Sequence, residues 1–154
     1  MNGKVCFDTR TGARGEYGDF VRAFDQAWRG GRERLDDIVA LLGPEIHLRA
    51  PGLRPTHGVR EARTAFERTF ELLPDLTARV HRWSARDDAL FLEMEFSATI
   101  GRRAVTWDNV DRFRFSDGVA VERVAYYDQS PIRRAFLSGP RAFWHLLKRR
   151  RSRL

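Results

Sequence analysis

The chain has 154 residues, 42% of them hydrophobic, and a net charge of +7, which is enough for one domain with its own core and short for two. No apolar run approaches the roughly 18 residues of a membrane span, and the N-terminal residues lack the apolar stretch of a secretory signal. The single Cys6 leaves no partner for an internal disulfide or a cysteine zinc cluster, so a protein of the reducing cytoplasm is expected.

The charge is unevenly placed. Residues 141–154, RAFWHLLKRRRSRL, carry Arg141, Lys148, Arg149, Arg150, Arg151 and Arg153 without an acid, so six of the seven net charges sit there and the other residues keep about +1. A nearly neutral body argues against a nucleic-acid partner. The segment reads as a basic amphipathic tail, with Phe143, Trp144, Leu146 and Leu147 at helical spacing, either packed on the body or touching anionic surfaces.

Residues 1–18 include a glycine-rich start without apolar periodicity and are expected to be flexible, leaving 19–140 as the domain. Phe20, Phe24, Ala27 and Trp28 recur at helical spacing and Gly30-Gly31 ends that helix. LDDIVALL predicts a short second helix, Gly43-Pro44 a break, and Ile46, Leu48 and Ala50 a strand. The spacing of Ala62, Ala65, Phe66, Phe70 and Leu73 predicts a third helix that stops before Pro74.

Beyond Pro74 the period falls to two. LTARVHRWSA, ALFLEMEFSATI, AVTWDNVDRFRF and VAVERVAYYD predict strands joined by short turns, hence antiparallel hairpins. Ser130-Pro131 opens a last helix, with Asp128 as a capping residue, and Gly139-Pro140 closes it. The order predicts an α+β domain: a cone-like, curved antiparallel sheet wrapped on one face by three N-terminal helices plus a C-terminal helix.

The strand TWDNVDRFRF carries the central puzzle. Its core-facing set is Val105, Trp107, Asn109, Asp111, Phe113 and Phe115, with an amide and a carboxylate among aromatics. Arg123, Ala125 and Tyr127 share one face of the next strand, so Arg123 comes within reach of Asp111. Desolvation would favour a neutral Asp111, a candidate acid, whereas a guanidinium beside it would favour the ionised form, a candidate base. A structural carboxylate fits the same pattern.

The segments FDQAWRGGRERLDDIVALLGPEIHLRAPG, HGVREARTAFE and VDRFRFSDGVAVERVAYYD resemble the nuclear transport factor 2-like superfamily, in its SnoaL-like and ketosteroid-isomerase-like branch, over residues 19 to about 137. The resemblance implies a cone enclosing a pocket, with Asp111 matching the isomerases' oxyanion-binding aspartate. It also implies losses. Phe24 stands where those isomerases have a pocket tyrosine, Ala50 where they have the base, and Ala125 where the superfamily's epoxide hydrolases have an aspartate.

The function it implies is a cofactor-free acid/base enzyme, of the polyketide-cyclase, isomerase or dehydratase kind, acting on a polyketide- or terpenoid-like molecule. The alternatives are a non-catalytic binding or accessory protein and an epoxide-hydrolase-like activity. The expected catalytic residues are Asp111, Arg123, Asn109 and Tyr127, and the expected pocket residues are Phe24, Trp28, Trp107, Phe113 and the loop residue His57. His47, His81 and His145 have no metal-ligand spacing, so neither metal nor cofactor is expected. A homodimer is expected through a convex sheet face bearing Arg79, His81, Trp83, Glu93, Glu95, Thr106 and Val124.

Overall fold

The computed structural model describes residues 15–138. The tail of 141–154 lies outside them, as does most of the N-terminal segment. Helix α1 spans Gly15–Gly30, so it starts inside the stretch expected to be flexible. It buries Tyr17, Phe20, Val21, Phe24, Ala27 and Trp28 on one stripe. Gly31 then turns the chain into a 3-10 segment, Gly31–Arg34, at φ +58°, where a Cβ would lie 2.5 Å from the Leu76 carbonyl oxygen. Helix α2 (Leu35–Ala40), strand β1 (Leu42–Arg49), the two-residue β2 (Thr56–His57) and helix α3 (Val59–Leu72) follow.

Four longer strands make up the rest of the sheet: β3 (Thr77–Arg86), β4 (Ala89–Ile100), β5 (Arg103–Ser116) and β6 (Val119–Tyr127), before helix α4 (Ser130–Leu137). The β5–β6 turn, Asp117-Gly118, has φ of 50° and 74°, the pair of left-handed residues a tight hairpin needs. Gln129 rather than Ser130 precedes α4, and Asp128 Oδ1 accepts the Ser130 amide at 2.8 Å.

The sheet is α+β in class and curved as expected, but it is mixed rather than wholly antiparallel. Its order is β2-β1-β6-β5-β4-β3. β1 runs parallel to β6, with Leu48 opposite Arg123, while every other pair is antiparallel. The Gly43-Pro44 pair does not break β1. It falls where the β1–β6 register shifts, between Leu42 and His47, so the proline's missing N–H costs no regular ladder bond.

The inner face of β4, from Leu90 through Leu92, Met94, Phe96 and Ala98 to Ile100, is buried, and with Phe113 and Phe115 of β5 it forms the core under α1. One irregularity changes the outer face. The β3–β4 register shifts between Val80 and Arg82, and Asp25 Oδ1 of α1 accepts the Val80 amide at 2.8 Å. The bulge carries Trp83 into register with buried Leu92 on the inner face, not the convex one. Trp83 stays exposed there at the sheet edge, whereas Val124 is not displayed. It pairs with Arg49 and Arg112, whose guanidinium groups converge on Glu122, and it is buried. No described helix is long and apolar enough to cross a membrane.

Candidate active site

The aspartate among aromatics is paired. On β5, alternate residues face inward, so Asn109, Asp111 and Phe113 form one row. Asp111 lies opposite Ala125, and Arg123, two residues earlier on β6, lies opposite Phe113. Arg123 Nε donates to Asp111 Oδ2 at 2.7 Å, with Nη2 2.6 Å from the same oxygen in an ion pair, and Asn109 Nδ2 donates to Oδ1 at 2.9 Å. The Asp111 side chain is fully buried and that of Arg123 is 8% exposed. Both carboxylate oxygens are thus occupied by donors, which offsets much of the cost of burying the charge.

Arg123 is boxed by rings. Its guanidinium carbon lies 5.1 Å from the Trp28 ring centre, 5.4 Å from Phe24 and 5.7 Å from both Phe66 and Phe113. A planar cation stacks on such faces where an ammonium would not fit as well. Above this box lies a cavity of about 380 Å³ between the inner face of the sheet, α3 and α4. Leu48, Phe66, Leu73, Phe96, Trp107 and Ile132 give it apolar walls, and Leu53, Leu72 and Phe136, all exposed, line its mouth.

Five of the nine residues expected at the site, Trp28, Trp107, Asn109, Arg123 and Tyr127, line this cavity. Asp111, Phe24 and Phe113 form the layer beneath Arg123 and do not reach the cavity. His57 lies elsewhere. It pairs with His47 across β1–β2, Nδ1 to Nδ1 at 3.2 Å, with Glu45 3.7 Å from Nε2, on an exposed surface. The alternation of β2 turns its neighbour Thr56 into the cavity instead. The sequence contained the signal, a polar residue one position before His57, but not the strand that orients it.

Tyr127 is half-buried and its hydroxyl donates to the Pro51 carbonyl at 3.2 Å, an acceptor shared with Gln129 Nε2. Burial lifts its phenol above the ordinary value of 10.0, so at neutral pH it is a neutral donor. Among the described residues lining the cavity there is no aspartate, glutamate, histidine or cysteine, and no described cluster of such residues is arranged to hold a metal ion. The arrangement is therefore strong in fixed positive charge and poor in proton acceptors.

Three residues that line the cavity each carry a fully buried polar atom, Trp28 Nε1, Thr56 Oγ1 and Asn109 Oδ1, that has no hydrogen-bond partner among the described residues. Orphaned groups of this kind are rare in folded proteins and each asks for a reason.

The fold has many relatives among solved structures. A candidate SnoaL-like polyketide cyclase of Jannaschia sp. CCS1 is 18% identical, with a TM-score of 0.73 over 86% of this chain and 99% of that one. A LEH-like epoxide hydrolase of M. tuberculosis is 24% identical, with a TM-score of 0.63 over 81% and 92%. TerC, co-crystallised with polyporic acid, is 18% identical, with a TM-score of 0.62 over 75% and 96%. At these identities the likeness is one of fold. No curated protein matches the sequence. The SnoaL-like domain family matches residues 21–123, a stretch running from α1 to Arg123 itself, and the chain belongs to that family, within the nuclear transport factor 2-like superfamily.

Proposed function

We propose that the protein takes a hydrophobic, oxygen-bearing small molecule into the cone and polarises one of its oxygens with Arg123, as a cofactor-free enzyme of the cyclase or isomerase kind. One observation carries this reading: a buried guanidinium, held from behind by Asp111 and walled by four rings, lines a mostly apolar cavity. In such surroundings a fixed cation acts strongly on charge that develops on a carbonyl oxygen, because little water competes for it. Asp111 is then a positioning residue, Asn109 and Tyr127 shape the polar end, and Trp28 and Trp107 hold the apolar frame. The match of relatives that include a candidate polyketide cyclase supports the class of ligand.

A second reading is a binding protein that performs no chemistry. It is favoured by the lack of any carboxylate, imidazole or thiol among the described cavity-lining residues. One experiment separates the two: proton exchange at the α-carbon of β-tetralone in D2O, followed by NMR. Polarisation by Arg123 predicts exchange above the buffer rate, with solvent water or hydroxide taking the α-proton and D2O returning a deuteron to the carbon, reduced roughly 10²- to 10³-fold in the Asp111→Leu/Arg123→Met double variant. Binding without any accelerated exchange would leave only the second reading.

A further inference from the structure

Single apolar side chains scattered over a surface need no explanation, whereas several converging on one opening do. Three separate segments bring such residues to the cavity mouth. Leu53 comes from the loop between β1 and β2, Leu72 from the end of α3 and Phe136 from near the end of α4, and they are 55%, 71% and 39% exposed. Leu137, beside Phe136, is exposed as well. The loop that carries Leu53 is held in place. Its turn closes with the Leu53 amide donating to the Ala50 carbonyl at 3.2 Å, and Tyr127 and Gln129 both donate to the Pro51 carbonyl. The apolar rim is therefore built into the fold, and water meets it at a free-energy cost.

The same rim is basic. Arg49, Arg54, Arg123 and Arg133 line the cavity, and no acid is among the described lining residues. Asp111 neutralises Arg123, and Glu122 neutralises Arg49. Arg54 and Arg133 have no ion-pair partner among the described residues; Arg133 donates instead to Gln129 Oε1 at 2.6 Å. Asp128 feels the charge of Arg133 but accepts the Ser130 amide and does not line the cavity, and neither does Glu71, exposed beside Leu72. In sequence, α4 leads on to residues 141–154, whose six basic residues are accompanied by Phe143, Trp144, Leu146 and Leu147.

From this we infer that the cavity mouth is a docking surface for an anionic lipid bilayer. Leu53, Leu72 and Phe136 enter the boundary between headgroups and acyl chains, while Arg54 and Arg133 lay their stems along that boundary and pair with lipid phosphates. Residues 141–154 add charge and apolar groups of the same kind. A second copy fits this face poorly, because two basic rims would meet with like charge. An acidic protein would answer the charge, but the apolar side chains ring an opening instead of forming a continuous patch, and a fluid acyl boundary moulds to such a rim. The cavity then opens onto the bilayer, and an apolar molecule passes between the two without crossing water. That passage rests on the cavity being the ligand site, whereas the docking does not.

The test is cosedimentation of the full chain with vesicles of phosphatidylcholine alone and of phosphatidylcholine with about one-third phosphatidylglycerol. Binding should be at least about 10-fold tighter to the anionic vesicles and should weaken as salt is raised. Arg54→Gln/Arg133→Gln should weaken it about 10-fold, and Leu53→Gln/Leu72→Gln by a similar factor. All four residues are exposed, so the melting temperatures should stay at the wild-type value. Phe91→Gln, on the outer face of the sheet, should bind vesicles as the wild type does. Wild-type binding by both double variants would hand the contact to residues 141–154 alone and overturn the inference. So would no binding to anionic vesicles, whether the protein then binds polyglutamate, as a site for an acidic protein would, or self-associates until Leu53→Gln/Leu72→Gln separates the copies. None of these outcomes touches proton exchange in β-tetralone, which judges Arg123 on its own.

Discussion

Replacing Asp111 with leucine leaves the Arg123 guanidinium buried against four rings with no counter-charge. Breaking a buried pair from one side costs about 3–5 kcal/mol. For a chain of this size each kcal/mol is about 2–4 °C, so the melting temperature should fall by about 6–20 °C. Arg123→Met should cost a similar amount, since Asp111 would keep only the Asn109 amide. The double variant should behave differently. Exchange of a buried ion pair for apolar side chains is neutral or stabilising by about 1–4 kcal/mol. Against that, Asn109 Nδ2 loses its acceptor, at about 1–3 kcal/mol. The two largely offset, so the double variant should lie within about 3 kcal/mol of the wild type, against about 6–10 if the single losses added. Equilibrium urea unfolding, followed by tryptophan fluorescence with Trp28 beside the pair, measures all four corners of the cycle. Single losses that simply add in the double variant, to within about 0.5 kcal/mol, would refute the reasoning. So would an Asp111→Leu protein as stable as the wild type.

Acid stability offers an independent check. Asp75, after α3, accepts from the Thr99 side chain and, on both oxygens at 2.9 and 3.0 Å, from the Thr99 amide; the side-chain bond first and the amide second hold its carboxyl below the ordinary 3.8. The Ser130 amide lowers Asp128 in the same way. A folded value below the unfolded one means stabilisation that is present above 3.8 and lost as pH falls through the folded value. Stability should therefore drop below about pH 4, less steeply in Asp75→Asn, with pH-dependent thermal melts as the measurement; identical acid limbs would rule Asp75 out. On the outer face Phe91, Val110 and Tyr126 are exposed, and Val110 pairs with Tyr126 across β5–β6. Sedimentation is expected to give a homodimer that Val110→Arg dissociates, and a wild-type monomer at tens of micromolar would count against that surface.

The sequence made β5 legible because its two faces differ so sharply. A row of Trp107, Asn109, Asp111, Phe113 and Phe115 against Asp108, Val110, Arg112 and Arg114 allows one register, and the alternation of β6 then brings Arg123 to Asp111. What alternation cannot carry is anything fixed from a distance. The bulge that turns Trp83 inward is tied to Asp25, 55 positions from Val80, and no local pattern contains that contact. His57 read as a pocket residue because its loop borders the cavity, yet its pairing with His47 makes it the outward member of β2. Direction was also hidden: an apolar alternation looks the same whether its neighbour runs parallel or antiparallel, so β1 beside β6 was not foreseen. The orphaned indole and amide atoms are a property of packing and leave no trace in composition.

The parallel seam between β1 and β6 also bears on how the protein folds. Leu48 and Arg123 stand side by side although the chain between them holds α3, β3, β4 and β5. The hairpins β3–β4, β4–β5 and β5–β6 close over short turns, whereas this seam must close a loop containing most of the domain. Non-local pairings of that kind slow folding. The Asp111–Arg123 pair can form as soon as β5 and β6 zip together, while the wall carrying Leu48 and Thr56 arrives only when β1 docks. A molecule held in the proposed site would touch both sides of the seam, at Leu48 and Arg123, and would act as a latch on it.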